Sequence, residues 1–178
     1  QSVGDFSVTN ALLQPGQLHG IERIQPAIFA VQVALAASLK AKGVVPSALI
    51  GHSMGEVSAA VVAGALSIED GVQVICHRAI LCRTLVGNSA MALIGMSPAA
   101  LREDLARRKI GDVEIAVQAA PMSTVIGGSM ESVQRLVAVW QKEGLFAREV
   151  AVDVASHTSQ VEPILVKLSS RLSGVTAH

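Results

Sequence analysis

The five residues Gly51-His52-Ser53-Met54-Gly55 constrain this chain more than any other stretch. They follow the apolar run Ala48-Leu49-Ile50 and precede Glu56-Val57-Ser58-Ala59-Ala60-Val61-Val62-Ala63. The pattern G-x-S-x-G therefore stands where a strand hands over to a helix. A serine on so tight a turn is pushed into an exposed position, and Gly51 and Gly55 remove the side-chain bulk that would stop the backbone turning and packing closely. In such a nucleophile elbow the N–H of Met54 points where an oxyanion develops, and the helix start adds partial positive charge. A glycine-flanked turn with an ordinary serine N-cap accounts for the five residues taken alone. The runs on either side favour a nucleophilic Ser53.

The elbow needs a domain around it. With 178 residues the chain has room for one sizeable domain or for a domain carrying an inserted lobe. Apolar residues make up 51% and aromatics 2%, so the core is expected to consist of Ala, Val, Leu and Ile. Fourteen basic and fourteen acidic side chains cancel without a basic run, which argues against nucleic acid as a partner. Cys76 and Cys82 share one helical stretch, with no C-x-x-C pair and no matching His spacing. That speaks against a metal site or a disulfide framework and for a reducing cytoplasm. The longest apolar segment, Pro26 to Leu39, is interrupted by Gln32 and is too short for a transmembrane span. No signal peptide is visible, and Gln1 in place of an initiator Met suggests a piece of something longer.

Residues 1–20, with Gly4, Pro15, Gly16 and Gly20, read as a loop-rich approach holding a short helix around Val8 to Leu13. Apolar residues at helical spacing then predict a mostly buried helix from Ile21 to Ala41, stopped by Gly43. Gln25, beside Pro26 near its start, either faces a site or caps the first turn, and the cap is the simpler reading. A short strand after Pro46 ends at Ile50, and the elbow helix runs to about Ala63, closed by Gly64. Ser67 reads as the N-cap of the next helix, with Glu69 and Asp70 against its dipole. That helix is expected to reach Leu85, with Arg78 next to its apolar face.

From Ala90 the pattern changes. Strands at Ala90–Met96, Val113–Gln118, Ser123–Gly127 and Ala147–Val152, with helices at Ser97–Arg107 and Met130–Gly144, give the order β-α-β-β-α-β of a ferredoxin-like lobe. The expected organisation is thus α/β: an α/β-hydrolase-like main subdomain over 1–88, an inserted ferredoxin-like small subdomain over 89–152, and a return to the main subdomain over 153–178. Thr158 or Ser159 then caps a last helix holding Val161, Ile164, Leu165, Leu168 and Leu172.

A serine hydroxyl is a weak nucleophile at neutral pH and needs an imidazole to take its proton. Of the five histidines, His178 sits at the chain end, His19 in a loop, and His77 on a helix beside Arg78. His52 adjoins Ser53 on a tight turn, where neighbours point apart, so it supports the turn. His157, in Val152-Asp153-Val154-Ala155-Ser156-His157, follows a strand end where catalytic groups are commonly displayed; position alone leaves it between a base and a surface histidine. Arg78 is open in the same way. On a surface helix it is solvated or salt-bridged; turned toward Ser53, its planar fork suits a substrate carboxylate.

The segments Ile50–Glu56, Val74–Arg83, Thr124-Val125-Ile126-Gly127-Gly128 and Val152–His157 resemble the acyltransferase domains of polyketide and fatty acid synthases. The similarity covers nearly the whole chain and is strongest to multifunctional, mycocerosic-acid-synthase-type enzymes of lipid metabolism. It implies a ping-pong transferase in which Ser53 attacks an acyl-CoA thioester, with His157 as base and then acid. The acyl group passes to the phosphopantetheine thiol of an acyl carrier protein. No cofactor is tightly bound; the CoA thioester is substrate, and the partners are the carrier protein and a neighbouring ketosynthase domain. Arg78 matches the arginine that holds the free carboxylate of malonyl-type extender units. Val154 and Ser156 occupy the selectivity positions of a tetrapeptide that reads Tyr-Ala-Ser-His in methylmalonyl enzymes and His-Ala-Phe-His in malonyl enzymes. Val154-Ala155-Ser156-His157 leaves space beside the substrate α-carbon and favours methylmalonyl over malonyl, although one methyl is worth only ~1–3 kcal/mol.

The chain departs from the family's pattern in three places. No Gly-Gln-Gly segment completing the oxyanion hole occurs before Ile21, and losing one such donor costs a factor of ~100–1000. Ala119 stands where the family often has Asn, two residues before Pro121. The residue that orients the histidine is expected beyond His178. The chain therefore reads as the central portion of a transferase domain, cut at both ends, whose isolated activity is weak or absent. Two other classes share the elbow. A serine hydrolase of the esterase or lipase kind has no need of an inward arginine, and a non-catalytic docking domain would form no adduct on Ser53.

Overall fold

Helix signals dominate the first half of the chain and strand signals the second, and the computed structural model divides along the same line. It describes residues 7–14, 16 and 18–178; the turn residues Gly4 and Pro15 of the expected approach lie outside the described residues. Two compact units result, one formed by Gln1–Arg83 with Val166–His178 and the other by Thr84–Leu165.

Among the described residues the first unit is helical: α1 (Val8–Leu13), α2 (Ile21–Ala41), α3 (Gly55–Ala63) and α4 (Ile68–Arg83), with the C-terminal part of α7 (Glu162–Arg171). Ser7 caps α1 by accepting from the Asn10 N–H at 3.2 Å. Ser67 caps α4 as expected, its Oγ accepting from the Asp70 N–H at 3.0 Å and donating to the Asp70 carboxylate at 2.8 Å. Phe29, Val61 and Ile75, from α2, α3 and α4, form the buried cluster, with Met54 and Val57 packed against it. Gly71 permits this approach: a Cβ there would lie 2.9 Å from the Phe29 ring.

Four expectations for this unit are corrected. The segment before the elbow is no strand: residues 44–50 have no regular structure, and Ile50 is 95% exposed. A strand exists only beside a partner, and no strand occurs among the described residues of this unit. α2 is not mostly buried either. It buries Gln25, Pro26, Ala27 and Phe29, while Ile28, Val31, Leu35 and Leu39 are exposed, because α3 and α4 cover only one stripe. Gln25 is not a cap; the helix starts at Ile21 behind Gly20, which places Gln25 in its second turn. The whole of α2, 21 residues and not the Pro26–Leu39 segment alone, is long and apolar enough to cross a membrane by length and composition. The packing of Phe29 places it instead in a helical layer.

The second unit has the element order read from the sequence: β1 (Ser89–Ile94), α5 (Pro98–Arg107), β2 (Val113–Ala120), β3 (Ser123–Ser129), α6 (Met130–Lys142) and β4 (Ala147–Val150). All pairings are antiparallel and the sheet order is β2-β3-β1-β4. Ser97 and Ser129 cap α5 and α6 through their hydroxyls. Ala90, Ala92 and Ile94 of β1 face a core completed by Leu101, Ile126, Val133 and Trp140. The centre of this core is aromatic, contrary to the expectation from composition: Trp140 is fully buried. Its Nε1 donates to Asp104 at 2.9 Å, and Arg107 and Arg108 also bond that carboxylate. Burial works against the Asp104 charge, but these hydrogen bonds outweigh it and hold the carboxyl below the usual range. The unit extends to Leu165, past the expected boundary at Val152, because residues 154–158 pack on its sheet.

Candidate active site

The turn at Ser53 departs from the expected motif in two respects, the missing strand before it and the role of Gly55. Ser53 adopts φ of 54°, a left-handed conformation that a side chain rarely takes. The Gly55 N–H donates to the His52 carbonyl at 2.9 Å and the Glu56 N–H to the Ser53 carbonyl at 3.0 Å, so the turn closes directly into α3. Gly51 is sterically required: a Cβ there would lie 2.6 Å from the Gly55 carbonyl carbon and closer still to the backbone of Glu56. Gly55 is not, since a Cβ there meets open space, which corrects the expectation that both glycines serve close packing. Met54 packs its side chain on the Phe29–Val61–Ile75 cluster and anchors the turn to the helices. The His52 side chain is exposed, and its support of the turn runs through its backbone carbonyl.

Arg78 lies on α4, half-buried, and its Nη1 donates to Oε1 of Gln25 on α2. Gln25 is itself only 8% exposed. Among the described residues Arg78 has no carboxylate partner, whereas Arg83 pairs with Glu22, Arg107 with Asp104, and Arg108 with both Asp104 and Glu143. One turn along α4, burial pushes the Cys82 thiol up while the charge of Arg78 pulls it down. His77 faces other groups. Burial first, and the charge of Arg171 second, hold its imidazole below the ordinary range, and its buried Nδ1 has no hydrogen-bond partner among the described residues.

His157 belongs to the sheet unit. Its φ is 64° and it is exposed, between the buried residues Val154, Ala155 and Thr158. Ser89 at the start of β1 accepts from the Ala155 N–H at 2.9 Å, and the Thr158 hydroxyl donates to the Ala155 carbonyl at 2.7 Å. The missing side chain of Gly127 makes the seat. A Cβ there would lie 2.9 Å from Thr158 Cγ2 and 3.1 Å from Ala155 Cβ, above Met91, its partner across the sheet. Val154 is 2% exposed and Ser156 half-buried, its N–H donating to the Val154 carbonyl at 2.9 Å.

Among the described residues three non-glycine residues have left-handed φ: Ser53, Lys109 and His157. Lys109 ends α5 in the ordinary way, its N–H bonded to the Ala106 carbonyl. The other two are the expected nucleophile and base; Ser53 stands immediately before Met54, the N-cap of α3, and His157 immediately before Thr158, the N-cap of the 3-10 turn Ser159–Val161, and a left-handed residue with a side chain is uncommon there. The structure thus joins Gln25 to Arg78 and Met54 to the turn of Ser53, and sets His157 in the other unit. Sequence reading missed the Gln25–Arg78 bond and the seat formed by Ser89, Gly127 and Thr158. The paired glycines in the middle of a strand were the available signal for the seat.

A family model described as acyl transferase domain matches residues 1–178. A mycocerosic acid synthase-like polyketide synthase of Mycolicibacterium smegmatis is 53% identical over 95% of this chain, and a phthioceranic/hydroxyphthioceranic acid synthase of Mycobacterium tuberculosis is 54% identical over 94%. The chain spans 8% of the length of each of these curated relatives. Among solved structures, the acyltransferase domain of the polyketide synthase PpsC of Mycobacterium tuberculosis superposes with a TM-score of 0.92 at 35% identity, covering 99% of this chain and 53% of that one. A malonyl CoA-acyl carrier protein transacylase from Coxiella burnetii gives 0.85 at 30% identity, covering 94% of this chain and 56% of that one.

Proposed function

Because the chain belongs to the acyl transferase domain family, we propose that it loads an extender unit, methylmalonyl in preference to malonyl, from CoA onto Ser53 and passes it to an acyl carrier protein. The observation that carries this reading is Arg78: a half-buried guanidinium bonded to a neutral amide, with no carboxylate partner among the described residues. A desolvated cation without an anion is costly, and a planar fork with free N–H groups takes a carboxylate in bidentate fashion. A malonyl-type acyl group carries that carboxylate; a simple fatty acyl group does not.

In this mechanism the Ser53 hydroxyl attacks the thioester carbonyl while His157 takes its proton. The tetrahedral oxyanion is held by the Met54 N–H at the start of α3. Collapse breaks the carbon–sulfur bond, and the imidazolium returns the proton to the departing CoA thiol. The phosphopantetheine thiol of the carrier protein then attacks the Ser53 ester by the same steps in reverse. The acyl-CoA is a substrate, and no bound cofactor enters. Val154 and Ser156 would border the α-carbon and admit its methyl branch. We read the helical unit as the α/β-hydrolase-like main subdomain and the sheet unit as an inserted ferredoxin-like lobe, within a cytoplasmic synthase that also carries the ketosynthase.

Labelled methylmalonyl-CoA tests this in the full-length protein. A covalent adduct on Ser53 is expected, absent in Ser53→Ala. Arg78→Ala should depress transfer from methylmalonyl-CoA by about 30-fold or more, the cost of truncating a buried charged pair, and leave transfer from an uncharged acyl-CoA nearly unchanged. Equal loss on both substrates removes the carboxylate clamp.

A further inference from the structure

We propose that Gln25 is a positioning residue for substrate selection: by accepting one N–H of Arg78 with a neutral carbonyl, it holds the guanidinium in place for an acyl carboxylate without neutralising its charge. This rests on the clamp reading of Arg78 and deepens it.

An arginine side chain has many rotamers, and an arm free to swing would lose much of its binding energy to ordering. Gln25 supplies the restraint. The residue is 8% exposed and its Oε1 accepts from Nη1 of Arg78 across 53 residues of sequence. Both ends of the bond are carried by regular elements, since Gln25 lies within α2 and Arg78 within α4, and those helices pack through Phe29 and Ile75. The restraint is therefore set by helix packing and not by a loop. Rigid supports of this kind are what a precisely aimed binding group needs.

The chemical type matters as much as the place. Glutamate has the same length and would also accept from Nη1, but it would pair with the guanidinium as a carboxylate. A ligand carboxylate would then have to displace or share with a resident anion. A methionine would fill similar space but offer the guanidinium only a weak sulfur acceptor. Only the amide satisfies one donor while leaving the positive charge and the remaining N–H groups for an incoming anion. The neighbouring Cys82, 2% exposed, adds no competing charge, because burial keeps its thiol protonated. The two groups named beside Arg78, the Gln25 amide and the Cys82 thiol, are thus uncharged, and Gln25 is the partner that orients it.

The test compares Gln25→Glu and Gln25→Met with Arg78→Ala in the full-length protein, each assayed with methylmalonyl-CoA and with propionyl-CoA, which lacks the carboxylate. Gln25→Glu is expected to raise KM for methylmalonyl-CoA about tenfold or more, the range for a hydrogen bond to a charged group, with kcat/KM for propionyl-CoA within about twofold. Gln25→Met is expected to shift the same ratio in the same direction by less. Gln25→Glu is near-isosteric and carries the test should Gln25→Met fail to fold. Equal loss on both substrates makes Gln25 a merely structural residue and overturns the proposal, as does no change in either variant. If Arg78→Ala loses methylmalonyl transfer selectively while the Gln25 variants do not, the clamp stands and the positioning role fails. If Arg78→Ala fails to discriminate the substrates, the clamp reading falls and the positioning role with it.

Discussion

The two units use the same apolar residue types in opposite ways. In the sheet unit nearly all of β1 is buried, and α6 turns Val133, Leu136, Val137 and Trp140 inward on one face at helical spacing. In the helical unit α2 shows Ile28, Val31, Leu35 and Leu39 to solvent, and Val44, Val45, Leu49 and Ile50 follow them. The difference is one of topology. An antiparallel sheet closes through short connections, so β1, β3 and β4 find each other within one stretch of chain. Residues 44–50 are largely apolar as well, but among the described residues of the helical unit no strand pairs with them. Of the expected nucleophile and base, Ser53 lies in the helical unit and His157 in the sheet unit, and each left-handed turn is held by a different means. The sheet unit seats its loop in the hollow at Gly127, and the helical unit anchors its turn through Met54.

The comparison is broken most forcefully in the sheet unit. Trp140→Ala removes the largest fully buried side chain and leaves Asp104 without one of its donors. A loss of about 3–5 kcal/mol is expected from the cavity, measured by denaturant unfolding. Trp140→Phe keeps the ring but not the N–H, and should shift acid stability. The Asp104 carboxyl is held below its ordinary range, so its contribution is present above the unfolded carboxylate pKa and is lost as pH falls through the folded value. Removing a donor raises that folded value and narrows the gap. If Trp140→Ala costs no more than an α2 surface substitution, the contrast between the units is void.

Gly127→Ala sharpens the comparison where stability and display meet. The added Cβ at 2.9 Å from Thr158 must move the 155–158 loop, because Ala155 is fixed to Ser89 on its other side. Overpacking of this kind costs about 1–3 kcal/mol. Formation of the acyl adduct should slow by more than this predicts, since His157 rides on the displaced loop. A full rate of adduct formation in a stably folded Gly127→Ala protein would detach the loop from the base.

What could be read beforehand follows the same division. The six elements of the sheet unit were legible because each signals locally: Ser97 and Ser129 cap, Pro98 opens a helix, and the apolar stripe of α6 repeats with the helix period. The turn at Ser53 and the helix after it were legible for the same reason, since Gly51 and α3 act within five residues, while the strand expected before them is absent. Long-range partnerships were not. Gln25 was read as a cap because Pro26 stands beside it, whereas its partner is 53 residues away. The strand expected before the elbow was inferred from residue type, which records a demand for burial but not the strand that meets it. Trp140 escaped notice because a low aromatic fraction says nothing about where a lone ring goes.

The smallest expected effect tests the exposed side of α2. Leu35 is 58% exposed on a helix whose other face holds Phe29 against α3 and α4. Leu→Ala in a packed helix costs about 2–5 kcal/mol because a cavity forms. With more than half of Leu35 in solvent no closed cavity forms, and helix propensity changes little, so Leu35→Ala should shift unfolding of this chain by no more than about 0.5 kcal/mol. The amides of α2 should also exchange with solvent faster than those of β1 and β3, whose hydrogen bonds lie inside a closed core. A cost near that of Trp140→Ala would mean that Leu35 is covered in solution, and the asymmetry between the two units would be lost.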